Sequence, residues 1–233
     1  MRSFKDLLFP PRCIHCRETI YEEFAHLCAE CTRQLQLIDP KERCPCCFTQ
    51  DYCTESKRCF CCKPEELSVD RLGAAFDYMG PAASIVRKLK YGNQPYLAKG
   101  AGAFLVAQFF QLQWPLPDLI VPVPISFTHW LERGYNQSEL LAESTSQFLR
   151  IPMESTLIRK SGDYSQAGMD RKQRKILTKD TLLLKKGHQL HDKRILLIDD
   201  VMTTGSTLQR CAEVLYEGCP AEVYALTFCR AIK

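Results

Sequence analysis

The chain has no run of eighteen apolar residues, and a helix needs about that many to cross a bilayer, so no membrane-spanning helix is expected. Its start lacks an apolar stretch of signal-peptide length, because Lys5 and Asp6 precede only Leu7, Leu8 and Phe9 before Pro10. The balance of residues is not unusual either: 45% are hydrophobic and 25% charged, which is ordinary globular usage and implies a packed core. These absences lead to the expectation of a cytoplasmic protein. That expectation governs how the 14 cysteines are read. In a secreted chain they would form a disulfide framework, whereas in a reducing compartment paired cysteines more often bind metal or do redox chemistry.

Eleven of the fourteen cysteines lie between Cys13 and Cys62. They mark off a small module, residues 1–67, too short to rest on a hydrophobic core alone and in need of a metal staple. Cys13 and Cys16 form a C-x-x-C turn, followed after eleven residues by Cys28 and Cys31. Cys44 and Cys47, then Cys59 and Cys62, repeat the frame with a shift of 31 residues at all four positions. Two such turns complete a closed tetrahedral four-thiolate site, so one or two structural zinc ions are expected and no zinc catalysis. Cys46, Cys53 and Cys61 compete nearby, and the two frames can be filled in sequence or interleaved. Four thiolates around Zn²⁺ leave a charge of about −2 per site, which disfavours an electrostatic grip on nucleic acid and leaves a structural or docking module as the alternative.

The net charge of +4 is unevenly placed. Residues 1–67 carry ten Lys/Arg against eleven Asp/Glu, whereas residues 159–194 alone carry eleven against four. The latter segment, with Tyr164, Gln166 and Gly168, reads three ways: a hood over a ligand site, a salt-sensitive contact to a nucleic-acid backbone, or a solvated face.

Residues 68–233 alternate strand and helix patterns. Strands are expected at 72–78, 118–123, 181–184, 194–198 and 221–228. Helices are expected around Ala82, Ile85, Val86 and Leu89, over 96–112 and 137–150, and around Leu208, Cys211, Ala212 and Leu215. Continuous apolar strands between helices specify an α/β fold with a mostly parallel sheet covered on both faces. After the apolar run ending at Ile198 come Asp199, Asp200, Val201, Met202, Thr203, Thr204, Gly205, Ser206 and Thr207. Where a strand hands over to a helix in such a sheet, backbone N–H groups and the helix dipole attract phosphate. Gly205 admits a close backbone approach, four hydroxyls can donate to phosphate oxygens, and two adjacent carboxylates suit the vicinal hydroxyls of a sugar. A capping turn would account for one hydroxyl and not for the acids.

The stretch ILLIDDVMTTGST, residues 195–207, resembles the phosphoribosyl-pyrophosphate motif of type I phosphoribosyltransferases. The wider chain resembles the ComF family, also called ComFC or GntX-like proteins, through LLFPPRCIHC at 7–16, LKYG at 89–92, VPVPI at 121–125, RGYNQSELLA at 133–142, and Gln166 followed by Arg174. The resemblance implies a double zinc ribbon, 1–67, joined to a phosphoribosyltransferase-like domain, 68–233. Asp199 and Asp200 would contact the ribose hydroxyls as the catalytic pair, and 201–207 would hold the 5′-phosphate, with Mg²⁺ accompanying the ligand. Arg133 and Lys88 or Lys90 are candidates for the pyrophosphate, the alternative for each being a solvated surface cation. The family's association with competence implies DNA uptake, contact of segment 159–194 with single-stranded DNA, and a competence helicase or other DNA-processing partner. The other readings are a phosphoribosyltransferase acting on an unidentified acceptor, and an adaptor with a vestigial pocket. Two segments depart from the family pattern: ISFTHWLE at 125–132 has only His129 where basic residues tend to stand, and Ile176 and Leu177 follow Arg174 where Arg and Asn are frequent.

Overall fold

A computed structural model describes residues 10–22, 25–63, 67–160 and 181–232. Its centre is a sheet of four parallel strands, β3 (Arg71–Asp77), β8 (Glu222–Arg230), β7 (Arg194–Met202) and β4 (Leu119–Pro122), in the order β3-β8-β7-β4. Side chains alternate across a strand, and β7 shows the result. Ile195 and Leu197 enter one buried cluster and Leu196 and Ile198 the other, which is why the run carries no polar residue.

One face is covered by α2 (Gly80–Tyr91), α3 (Leu97–Gln111) and α5 (Gln137–Leu149). In α2 the buried residues include Ala82, Ile85, Val86 and Leu89, the stripe that the helical period requires. Helix α3 lies so close to α5 that a Cβ on Gly102 would sit 2.3 Å from the Ser144 hydroxyl. The other face is covered by α6 (Ser206–Tyr216) and by an antiparallel ribbon of β5 (Leu157–Lys160) and β6 (Thr181–Leu184). The cysteine region adds a short helix, α1 (Ala29–Arg33), and a small hairpin of β1 (Tyr52–Cys53) and β2 (Arg58–Cys59). Among the described residues no helix is long and apolar enough to cross a membrane.

Every expected strand and helix of the larger domain is present. Three features differ from expectation. Strand β5 was not expected, because Arg159 and Lys160 break its apolar pattern. A helix, α4 (Phe127–Arg133), occupies ISFTHWLE, started by the Ser126 hydroxyl accepting from the His129 N–H and closed by Gly134 at φ 77°. Its Phe127, Trp130 and Leu131 are exposed, so no buried stripe announces it. Strand β7 also runs four residues past 198, because β8 stays beside it to the pairs Val201↔Cys229 and Met202↔Arg230. Tyr164, Gln166, Gly168, Arg174 and the rest of 161–180 lie outside the described residues.

The cysteine region packs onto the sheet. Ile38 and Phe48 belong to the same buried cluster as Leu72, Leu197 and Leu215. The Ile38 N–H donates to the Ala75 carbonyl at 2.9 Å, and the Gln108 side chain donates to the Ile38 carbonyl at 3.0 Å. Arg43 pairs with Asp77 at 2.7 Å. A Phe removed from a core costs about 3–5 kcal/mol. Phe48→Ala is therefore expected to lower the stability of the whole chain by that order in denaturant unfolding. A loss confined to a separate, early transition would show that the cysteine region does not share the core.

Candidate functional site

The site grows from the carboxyl end of β7. Neighbouring strand residues face opposite ways, so Asp199 and Asp200 meet different partners. Asp199 Oδ1 accepts from the Ser138 hydroxyl at 2.7 Å and from the Asp200 N–H at 2.9 Å. Burial, and then the charge of Asp200, push the Asp199 carboxyl up to about 7 from 3.8, against the pull of those hydrogen bonds and of Lys90. Asp200 is buried, its Oδ1 3.0 Å from Lys90 Nζ and its Oδ2 without a partner.

Past Met202 the chain turns at Gly205, whose φ of 81° is left-handed and favours glycine, and α6 begins at Ser206. Met202 and Gly205 are buried, Val201 and Thr207 half-buried, and Thr203, Thr204 and Ser206 exposed. The Thr204 hydroxyl donates to the Ser206 hydroxyl at 3.1 Å and accepts from the Ser206 N–H at 3.4 Å. The hydroxyls thus stay at the surface around a helix start. A cleft of about 520 Å³ opens beside this turn, bordered also by Arg43, Asp77, Arg230 and the second cysteine group.

Of the expected cations, Lys90 reaches the acidic pair and Lys88, half-buried one residue pair earlier on α2, does not pair with it. Arg133 ends α4. Its guanidinium lies 5.3 Å from the centre of the Tyr91 ring and donates to Gln137 Oε1 at 3.0 Å. Three residues not singled out from their side-chain chemistry complete the surroundings. Ser138 holds Asp199, Gln137 holds Arg133, and Asn136 caps α5 by accepting from the Ser138 N–H at 3.0 Å while donating to the Val123 carbonyl at 3.0 Å. All three stand in RGYNQSELLA. Their signal was an N-cap residue followed by polar residues on a helix face that is otherwise buried.

The cysteines gather as two groups, Cys13, Cys16, Cys28 and Cys31, and Cys44, Cys47, Cys59 and Cys62, the sulfurs of each within 4.8 Å of one another. The ligands follow the sequential frames, not the interleaved ones. All fourteen cysteines are free thiols. Four sulfurs at about 2.3 Å from a tetrahedral ion stand about 3.8 Å apart. The observed separations are 3.6 Å for Cys16–Cys28, 3.8 Å for Cys44–Cys62 and 3.7 Å for Cys47–Cys59, so both donor sets fit structural zinc. Cys61 stays outside its group, its thiol 3.6 Å from Asp51 Oδ2.

A family model described as phosphoribosyl transferase domain matches residues 136–233. Competence protein F of Haemophilus influenzae is 29% identical over 211 residues, covering 88% of this chain and 90% of that protein. The DNA utilization protein YhgH of Escherichia coli is 28% identical over 233 residues, covering 97% and 100%. The chain is a homologue of the ComF-type competence proteins. Competence protein ComFC of Streptococcus pneumoniae, 26% identical over 205 residues, covers 88% of the chain and is itself covered to 87%. Among solved structures, the glutamine phosphoribosylpyrophosphate amidotransferase from B. subtilis overlaps 61% of the chain and 30% of its own at 18% identity and a TM-score of 0.42. The parallel sheet with its flanking helices is a phosphoribosyltransferase-type fold, and the ComF homologue adds a cysteine-rich module in front of it.

Two expectations follow. Metal analysis should find two zinc ions per chain, falling to one in Cys28→Ala and staying at two in Cys53→Ala. The second concerns pH. Asp199 titrates near 7 in the fold and near 3.8 when unfolded, so the unfolded chain binds fewer protons and stability falls as pH rises through that window. Asp199→Asn keeps the acceptor oxygen without the charge. Its melting temperature should match the native one near the acid end of the window and exceed it by about 10 °C at pH 8. A difference independent of pH would remove the assignment of a half-buried, reluctant carboxylate.

Proposed function

We propose that the chain binds phosphoribosyl pyrophosphate with Mg²⁺ at the turn 199–207 and serves DNA uptake or utilisation by contacting single-stranded DNA. The observation that carries the ligand is the pairing of a half-buried and a buried acid at a strand end with a glycine-opened turn whose hydroxyls are exposed or half-buried. In this reading Asp199 and Asp200 receive the ribose hydroxyls. Backbone N–H groups and hydroxyls of 201–207 receive the 5′-phosphate at the start of α6. Lys90 and Arg133 face the pyrophosphate, with Lys88 behind Lys90. Lys90 now occupies one oxygen of Asp200, so binding exchanges that ion pair for ligand hydroxyls while the cation turns to the ligand's own charge. Mg²⁺ would arrive with the ligand and offset its negative charge.

The names of the relatives, competence and DNA utilisation proteins, support the nucleic-acid half. So does the basic segment 159–194, whose described ends place Arg159, Lys160, Lys185 and Lys186 on or beside the β5–β6 ribbon. The module 1–67 acts as a zinc-stapled part of the same body and offers the docking surface for a helicase or other DNA-processing protein in the cytoplasm.

Titration calorimetry with phosphoribosyl pyrophosphate and Mg²⁺ should show binding that Asp199→Ala and Asp200→Ala each weaken by about tenfold or more. Binding unchanged in both variants would remove the site. A gel shift on single-stranded DNA should weaken at least about tenfold between 50 and 200 mM salt, and charge reversal at Arg171, Lys172, Arg174 and Lys175 should abolish it. A shift indifferent to salt and to those charges would overturn the DNA contact. Pyrophosphate release on adding an acceptor would mark turnover beyond binding.

A further inference from the structure

Helix α4 contributes nothing to the core. None of its seven residues is buried, although Phe127, Trp130 and Leu131 are among them. A helix of this length does not stand on propensity, and here it is fastened at its ends by Ser126 and Gly134. Single exposed apolar residues are ordinary. Two aromatic residues three apart share one helix face, and in α4 their rings lie nearly parallel, 6.1 Å between centres and 17° between planes. Phe127 is 64% and Trp130 48% exposed, so the ring pair meets solvent. A groove of about 290 Å³ is bordered by these rings and by Ile158, Arg159 and Lys185 of the β5–β6 side. The ribbon is one-sided in charge: residues 157–160 and 181–186 carry four cations, Arg159, Lys160, Lys185 and Lys186, and no acid. The acids of the adjoining segments are engaged, Glu132 by His129 at 3.2 Å, Glu139 by the Ser155 hydroxyl at 3.0 Å and Glu154 by His188 at 2.6 Å. A protein partner would call for an apolar interface core from which lysine is depleted. Flat ring faces beside cations suit a ligand that is itself flat and anionic, a strand whose bases are unpaired.

We infer that Phe127 and Trp130 form a base-stacking surface for single-stranded DNA, with the cations of the β5–β6 ribbon taking the phosphates that flank the stacked bases. This rests on the DNA contact proposed above and goes beyond it, because α4 lies outside the basic segment and its contribution is not electrostatic. Its consequence is selectivity for single strands. Lysines and arginines alone hold any phosphate backbone, paired or not. In a duplex the bases stack on one another and hide their faces, so the rings of α4 add affinity only for unpaired bases.

The full chain has two tryptophans. Trp114 packs against Phe109 and Tyr224, so Trp114→Phe leaves Trp130 as the one indole that reports. In that background a short oligothymidylate should quench the fluorescence, and a duplex of equal charge should not. Trp130→Ala and Phe127→Ala should each weaken oligothymidylate about fivefold or more, and Trp130→Phe should restore most of the loss. The salt slope should stay that of the native chain, because no phosphate contact has been removed. Neither side chain belongs to a buried cluster, so the variants should melt with the native chain; where one does not, the other decides. Unchanged affinity in both alanine variants, while charge reversal in the basic segment abolishes the shift, leaves the DNA contact standing and overturns the stacking surface. So do equal losses on single strand and duplex, quenching by free thymidine at the same base concentration, and dissociation of a dimer by Trp130→Ala in sedimentation. A native chain that neither shifts single-stranded DNA nor is quenched by it loses both readings.

Discussion

The pairing of β7 with β8 beyond their apolar stretch organises this molecule. Backbone hydrogen bonds continue through Asp199↔Thr227 and Val201↔Cys229 to Met202↔Arg230, so two carboxylates are carried into a sheet instead of fraying into a loop. A buried backbone group must be paired, and here the ladder that satisfies the backbone also fixes where the acids stand. The turn at Gly205 and the start of α6 inherit their position from the same ladder. So does Arg230, which ends β8 and reaches both the Cys47 carbonyl and Met202 Sδ.

That arrangement stores unfavourable electrostatics. Asp199 is half-buried beside a like charge, and Asp200 leaves one oxygen unpaired. A core chosen for stability alone would not contain these groups. They are held by what surrounds them: a four-stranded sheet closed on both faces, the Asn136 cap tying α5 to the segment after β4, and the Tyr135 hydroxyl donating to the Leu89 carbonyl at 2.7 Å. Beside the hydrogen bonds from Ser138 and the Asp200 N–H, the compensating cation is Lys90. Its Nζ stands 3.0 Å from Asp200 Oδ1 and offsets part of the charge of the acidic pair.

Much of this was legible in the order of residues, because the signals were local. The apolar run at 195–198 reads as a doubly covered strand, Leu208, Cys211, Ala212 and Leu215 read as one helix face, and four cysteines repeated at a shift of 31 read as metal ligands. The acids and the hydroxyl turn were legible for the same reason. What stayed hidden depends on distant partners. Helix α4 buries nothing, so no period marks it. The extension of β7 depends on β8 lying alongside. The choice of Lys90 over Lys88 depends on the rotation of α2 against the sheet. Ser138 and Gln137 look like ordinary polar helix residues until β7 and α4 are placed beside them. The compositional boundary at 67 is real in sequence, yet Ile38 and Phe48 cross it to enter the core.

Strand β8 is the last in chain order and lies between β3 and β7. During synthesis β3 and β7 therefore have no shared neighbour until residues 222–230 have been made, and the sheet closes late and over long sequence separations, a slow route for a parallel topology. The cysteine turns are different. Each four-sulfur group spans only nineteen residues, from 13 to 31 and from 44 to 62, and can close on its metal as it emerges. With zinc on those sulfurs, the growing chain would hold a finished anchor long before it has a sheet, and Phe48 would wait on that anchor for the strands it packs against.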